Sequence, residues 1–458
     1  MAKRDDIIDH SLADSIGYNS YPDWLKARLE WFMDMRFGMI IHWGPYSQWD
    51  CCESWGLVPK QYGWNRNDKM KCWVERGRDY ERFAKDYRAL NRTFNPVKFD
   101  PDKWAGIAEA AGMKYVTYTT KHHDGFCMWD TKTTDYRITH PDCPYHASPR
   151  ADTVREVFDA FRRRNMAVSC YFSKSDWHCP WYWAPQFETQ DANVNYDRFK
   201  HPEIWARFVD FVHRQIEELM TGYGRVDVLW LDGGQVRPPG QDIRMDEIAA
   251  MARSRQPGLI IADRTVGGVN ENFVTPEQEI PDKPLGIPWE SCITLGHSWK
   301  YVPGDAIKPA GQVVKMLVET AAKGGNLLLG VGPSPLGEIP PEAESRLREI
   351  GAWLKINGEA IYGARPVAPY QEGNVRFTAK GGVIYAVILP DADGTAPDKI
   401  AISAFRPAAG AGIELLGSRA VLDFKPLAKG FEVRLPGALP GPHAWVIKFR
   451  AEIDSRQS

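Results

Sequence analysis

The sequence predicts an α/β protein: a (β/α)8-like TIM barrel, irregular in places, followed by a small antiparallel β-sandwich. Apolar strand-like runs alternate with amphipathic helical stretches over about 350 residues, the rhythm of a parallel sheet. Polar residues gather at the C-terminal tips of several runs and no GxGxxG turn follows the first, which favours a closed barrel over an open doubly wound sheet. Beyond residue 363 the texture changes to short alternating runs set among Gly and Pro, the pattern of a sandwich.

In chain order, strand-like runs cover residues 37–42, 115–120, 167–172, 226–231, 259–262 and 326–331. Apolar residues three and four apart mark helices over 102–112, 152–165, 202–224, 245–258 and 312–325. Gly112, Gly224, Gly258 and Gly324 stand where a left-handed residue ends a helix. Only six or seven strands are legible, so one or two are expected to be short or irregular, around 289–293. Residues 1–363 are assigned to the barrel and 364–458 to the sandwich, the latter from runs such as NVRFTA, GVIYAVIL, KIAISAF and AWVIKF. Two aromatic-rich segments, 48–95 and 173–200, interrupt the rhythm. They would roof a pocket at one barrel face or, on the plainer reading, form apolar clusters beneath the loops.

Composition narrows the function. Charge is nearly balanced, 57 Lys+Arg against 59 Asp+Glu, with no basic stripe, so a nucleic-acid partner is not expected. No run approaches the ~20 apolar residues of a membrane span, and the first residues, MAKRDDIIDHSLADSIGY, lack an apolar leader core, so a cytoplasmic location without membrane contact is expected. Eight cysteines form no CxxC pair, which argues against a disulfide scaffold or a zinc ribbon. Eighteen Trp and eighteen Tyr are many for this length; their faces suit sugar rings, although most Trp residues serve cores.

Candidate chemistry sits at the strand tips. YVTYTTKHHDG (115–125) ends on Lys121, His122, His123 and Asp124; FGMIIHWG delivers His42, VDVLWLDGG delivers Asp232, and LIIADR delivers Arg264. Three imidazoles invite a zinc reading, but neighbours on an extended strand point to opposite faces, so at most one of His122 and His123 would join His42. Hydrogen bonds from imidazoles to ligand hydroxyls fit better. A carboxylate ending a buried strand, as Asp232 does, is costly unless partnered; its plainer role is to cap the following turn. Cleavage of a glycoside by a retaining enzyme needs a second carboxylate about 5 Å away, and Glu277 and Glu279 in TPEQE and Glu290 in PWESC are the candidates.

FGMIIHWGPYS, YVTYTTKHHDGF, the LWLDGG strand end and GGNLLLGVGPSPLGEIPPEAESRLREIGAWLKINGEAIYGARP together resemble the family 29 α-L-fucosidases of the glycoside hydrolases, over about residues 31–366. The resemblance implies a retaining barrel hydrolase of fucosylated oligosaccharides or glycoconjugates, with a C-terminal sandwich and no metal or organic cofactor. It implies Asp232 as nucleophile and, through TPEQ, Glu277 as acid/base with Glu290 second. His42, His122 and His123 would hold fucose hydroxyls, Trp230 would line the pocket and Arg264 would approach the ring. A Glu-Trp pair of the family has its nearest counterpart in Glu53 and Trp55, separated here by Ser54. An apolar niche for the fucose methyl group would draw on Phe37, Tyr171 or Trp230. Two alternatives stand beside this: a barrel that binds sugar without cleaving it, and a metal-dependent hydrolase built on His42 and one of the His pair. A homo-oligomer is compatible with the sequence.

Overall fold

The computed structural model describes residues 17–391, 394–418 and 421–452. The residues on which the expectation about an N-terminal leader mainly rests lie outside them. Seven parallel strands build the first sheet: β1 (Phe37–Ile41), β2 (Tyr115–Lys121), β3 (Ala167–Ser173), β4 (Val228–Asp232), β5 (Ile260–Asp263), β6 (Glu290–Thr294) and β7 (Asn326–Val331). Their order is β5-β4-β3-β2-β1-β7-β6, so β5 and β6 are the two edges. Between them runs the segment 271–278, bridged antiparallel to β5 at Ala262–Glu271 and parallel to β6 at Val274–Trp289 and Glu277–Cys292. This segment closes the seam in place of a regular strand. Its Pro276 has no N–H to donate and Gln278 has φ +58, so a continuous ladder cannot form. The irregularity expected at 289–293 therefore lies about fifteen residues earlier, and β6 itself is a regular strand.

Strand alternation sorts the side chains. Ile40, Tyr115, Tyr171, Val228, Trp230, Ile260, Ala262, Cys292 and Leu328 fill the barrel interior, together with Leu25, Leu29 and Phe32 from the helix Asp23–Asp34. Phe37, Met39 and Ile41, two residues apart, belong instead to the core between sheet and helices. The helices Pro101–Ala110, Thr153–Arg163, Pro202–Gly222, Met245–Arg255 and Ala310–Ala322 match the expected stretches. Asp100 and Asp152 accept bonds from first-turn N–H groups, and Gly112, Gly224, Gly258 and Gly324 have φ between +70 and +90.

The sandwich strands follow: β8 (Arg365–Glu372), β9 (Val375–Lys380), β10 (Val383–Ile388), β11 (Lys399–Ile402), β12 (Ile413–Leu415), β13 (Val421–Leu422), β14 (Phe424–Pro426), β15 (Phe431–Arg434) and β16 (Trp445–Arg450). They pair antiparallel into a sheet ordered β13-β12-β16-β10-β9-β8 and a smaller one ordered β11-β15-β14. The two enclose a core that includes Phe377, Ile402, Phe431 and Ile447. All eight cysteines are free, and no described helix is long and apolar enough to cross a membrane.

The turn after β2 is fixed by charge. Lys121 pairs with Asp176 at 3.0 Å, both buried, and Asp124 accepts from Tyr87 at 2.9 Å and from the N–H of Phe126 at 3.1 Å. Gly125 has φ +81, and a Cβ there would lie 2.2 Å from Asp176 Oδ1. Gly125→Ala is therefore expected to destabilise the protein by about 3 kcal/mol or more, read as a fall in Tm. An unchanged Tm would contradict this account of the turn.

Candidate active site

At the C-terminal mouth of the barrel, His42, Glu53, Trp55, His122, His123, Tyr171, Trp230, Asp232, Arg264 and Glu277 line one cleft of about 720 Å³, its open mouth included. Asp232 ends β4 and is its focus. Its Oδ1 accepts from Arg264 Nη1 at 2.8 Å and from the N–H of Gly233 at 2.9 Å; its Oδ2 accepts from the Tyr171 hydroxyl at 2.6 Å. Burial alone would raise the Asp232 carboxyl, but the Arg264 guanidinium, with the Tyr171 hydrogen bond, outweighs it and holds it well below the usual carboxylate range. Asp232 is thus a partnered anion with its side chain 19% exposed.

Arg264 joins two carboxylates. Its Nη2 donates to Glu277 Oε2 at 3.2 Å, Nε donates to Thr275 at 2.8 Å, and the guanidinium lies 4.2 Å from the Trp230 ring centroid. Burial opposes its charge, yet Asp232 and Glu277 more than compensate and its pKa is raised. Glu277 comes from the irregular seam and its side chain is 14% exposed. Its Oε1 accepts from the Trp299 indole at 3.3 Å.

The histidines overturn one expectation. β2 ends at Lys121, so His122 and His123 lie in the turn beyond it, and their rings approach to 4.4 Å instead of diverging. Ser54 Oγ holds His122 Nδ1, while Ser173 Oγ at 2.6 Å and Ser175 Oγ at 3.0 Å hold His123 Nδ1. Burial lowers all three imidazoles, His42 to about 3, so each is neutral and offers one donor and one acceptor. His42 Nδ1 is buried with no hydrogen-bond partner among the described residues.

Glu53 lines the cleft, its φ at +37, and is anchored by Ser298 Oγ at 3.1 Å and the N–H of Lys300 at 3.2 Å. Trp55 packs on His123 and Trp177, with centroids 5.3 and 5.2 Å apart. Both readings of the aromatic segments hold, residue by residue: Trp55 is a wall, whereas Trp73, Trp177, Tyr182 and Trp183 are core.

Among the candidate metal ligands, atoms of His122, His123 and Asp232 lie within 4.8 Å of one another. Arg264 already neutralises that carboxylate and opposes a second cation beside it.

The remaining candidates sort by burial. Glu290 is fully buried behind Trp230, accepting from Trp230 Nε1 at 3.1 Å and from the Tyr115 hydroxyl at 2.5 Å, and does not line the cleft. It supports the Trp230 wall through that bond. Glu279 is exposed outside the cleft. Phe37 faces the helix layer and does not line the cleft, whereas Tyr171 does, with its hydroxyl on Asp232; Ile40 lines it too, by strand alternation. Trp299 and Cys292 also line it. Neither was marked in the sequence: Cys292 sits on β6, which the sequence pattern did not resolve as a regular strand, and Trp299 sits in a loop.

Burial raises the Glu290 carboxyl to about 7. Below about pH 4.5 it is protonated folded and unfolded; between 4.5 and 7 only the folded state keeps the proton, so its contribution to stability is lost as pH rises through that window. Glu290→Gln removes this titration. The stability of the variant relative to the parent is expected to rise by on the order of 3 kcal/mol from pH 4 to pH 8, read by denaturant titration. A pH-independent difference would contradict it.

A profile of the Alpha-L-fucosidase family matches residues 10–359. Tissue alpha-L-fucosidase of Bos taurus is 30% identical over 464 aligned residues, covering 93% of this chain and 90% of the bovine one. Among solved structures, alpha-L-fucosidase isoenzyme 1 from Paenibacillus thiaminolyticus superposes with a TM-score of 0.75 at 34% identity, covering 94% of this chain and 100% of that one. The Thermotoga maritima alpha-fucosidase in complex with fucose gives 0.73 at 28% identity, covering 94% and 99%.

Proposed function

The chain belongs to the alpha-L-fucosidases of glycoside hydrolase family 29, and on that premise we propose that it releases terminal α-L-fucosyl residues from fucosylated oligosaccharides or glycoconjugates by double displacement, with Asp232 as nucleophile and Glu277 as acid/base. The observation that carries the reading is the single guanidinium shared by two carboxylates, Arg264 between Asp232 and Glu277. With the imidazoles neutral, this group of three balances in charge when one carboxylate holds a proton. Asp232 is the one kept ionised, and the acid/base role requires Glu277 to carry the proton when the cycle starts.

An oxygen of Asp232 attacks the anomeric carbon as the bond from that carbon to the leaving oxygen breaks, and the Glu277 proton passes to the departing oxygen. The product is a fucosyl ester of Asp232. The charges still balance, because the ester is neutral and Glu277 is now the anion paired with Arg264. Glu277 then takes a proton from water, the hydroxide oxygen attacks the same carbon, the ester bond breaks, and two inversions leave the configuration retained. Neutral imidazoles at His42, His122 and His123 suit sugar hydroxyls, and Ile40 beside Trp230 suits an apolar C5 substituent.

The direct test is hydrolysis of an aryl α-L-fucoside with and without a chelator. Turnover that survives exhaustive chelation is expected. Absence of turnover favours a barrel that only binds sugar, and loss on chelation favours metal-dependent chemistry.

A further inference from the structure

The aromatic wall continues past the cleft. Trp55 meets Trp64 edge-on with centroids 5.3 Å apart, and Trp64 lies nearly parallel to Tyr62, at 5.6 Å and 17°. All three rings are half-buried, so the row starts at a residue of the cleft and carries aromatic surface into solvent. At its far end Lys60 places its ammonium 4.8 Å from the Tyr62 ring centroid.

The segment bearing this row has little regular structure, a short 3-10 turn over Trp55–Leu57, yet it is pinned from within. Asn65, fully buried, accepts from the N–H of Tyr62 at 2.9 Å and donates to the carbonyls of Trp55 at 3.3 Å and Lys60 at 3.0 Å. Arg66, also buried, donates to the carbonyls of Gly56, Val58 and Pro59, each at 2.5 Å. Its guanidinium is sandwiched near Trp73 and Tyr80, 5.2 and 4.9 Å from their ring centroids. Two buried polar side chains thus fix a loop whose aromatic residues remain partly in water. Such bracing sets the ring faces before any ligand arrives and lowers the ordering cost of binding.

We propose that Tyr62 and Trp64, continuing from Trp55, form a platform for the leaving-group saccharide, so that the enzyme selects fucosylated oligosaccharides over simple fucosides. This rests on the fucosidase reading above. A pocket closed on a terminal sugar leaves the rest of the glycan at its mouth, where this row begins. A pyranose ring presents C–H groups to an aromatic face and hydroxyls at its edge, where the exposed Lys60 and Gln61 border the row.

The test compares kcat/KM on an aryl α-L-fucoside and on fucosyllactose for the parent, Tyr62→Ala, Trp64→Ala and the double variant. The ratio of fucosyllactose to aryl fucoside is expected to fall about five-fold or more in the double variant, chiefly through KM. A smaller change in the ratio overturns the proposal, whether both rates hold or both fall together, since a common fall assigns the loop to shaping the cleft. If the variants do not fold, competitive inhibition of parental aryl-fucoside hydrolysis by lactose decides: its presence supports the platform and its absence overturns it. Failure of the parent to cleave either fucoside would strike the fucosidase reading instead.

Discussion

Asp232→Gly is expected to lower kcat on an aryl α-L-fucoside by on the order of 10⁴-fold or more, because the variant cannot form the glycosyl ester through which both steps pass. The same variant is expected to recover part of its activity in sodium azide, with β-L-fucosyl azide as product. Glycine opens space beside the anomeric carbon on the face Asp232 occupies, and Arg264 and the Tyr171 hydroxyl remain to receive a small anion. Activity within ten-fold of the parent would remove Asp232 from the nucleophile's role.

Glu277→Ala is expected to lower kcat/KM on substrates with poor leaving groups, such as a fucosylated disaccharide, by about 10²–10⁴-fold. On a dinitrophenyl fucoside, whose leaving group departs without a proton, the same parameter is expected to fall by less than about ten-fold. Equal losses on both substrates would show that Glu277 shapes the site without transferring a proton. Glu290 cannot take over, since it sits behind Trp230 with both oxygens occupied by Tyr115 and Trp230.

Much of this site was legible because the barrel is regular where its strands are apolar and its tips are polar. VLWLD names both a buried strand and the carboxylate at its end, and LIIAD places Arg264 one residue beyond a strand. What stayed hidden depends on contacts distant in sequence. The segment TPEQE carries no strand pattern, yet its backbone closes the barrel against Trp289 and Cys292, which is what aims Glu277 at the cleft. The pairing of His122 with His123 follows from β2 ending at Lys121, before either histidine, with a shift in register between Thr119 and Lys121. Glu290 and Glu277 look alike as isolated carboxylates; packing separates them, one behind an indole and the other beside a guanidinium.

Trapping with 2-deoxy-2-fluoro-α-L-fucosyl fluoride followed by peptide mass spectrometry tests the central claim most directly. The fluorine at C2 slows breakdown of the ester more than the good leaving group slows its formation, so the intermediate accumulates. The account predicts a single fucosyl adduct on the peptide containing Asp232, absent in Asp232→Gly. An adduct on another carboxylate, or turnover without any adduct and with inversion at the anomeric carbon, would contradict it.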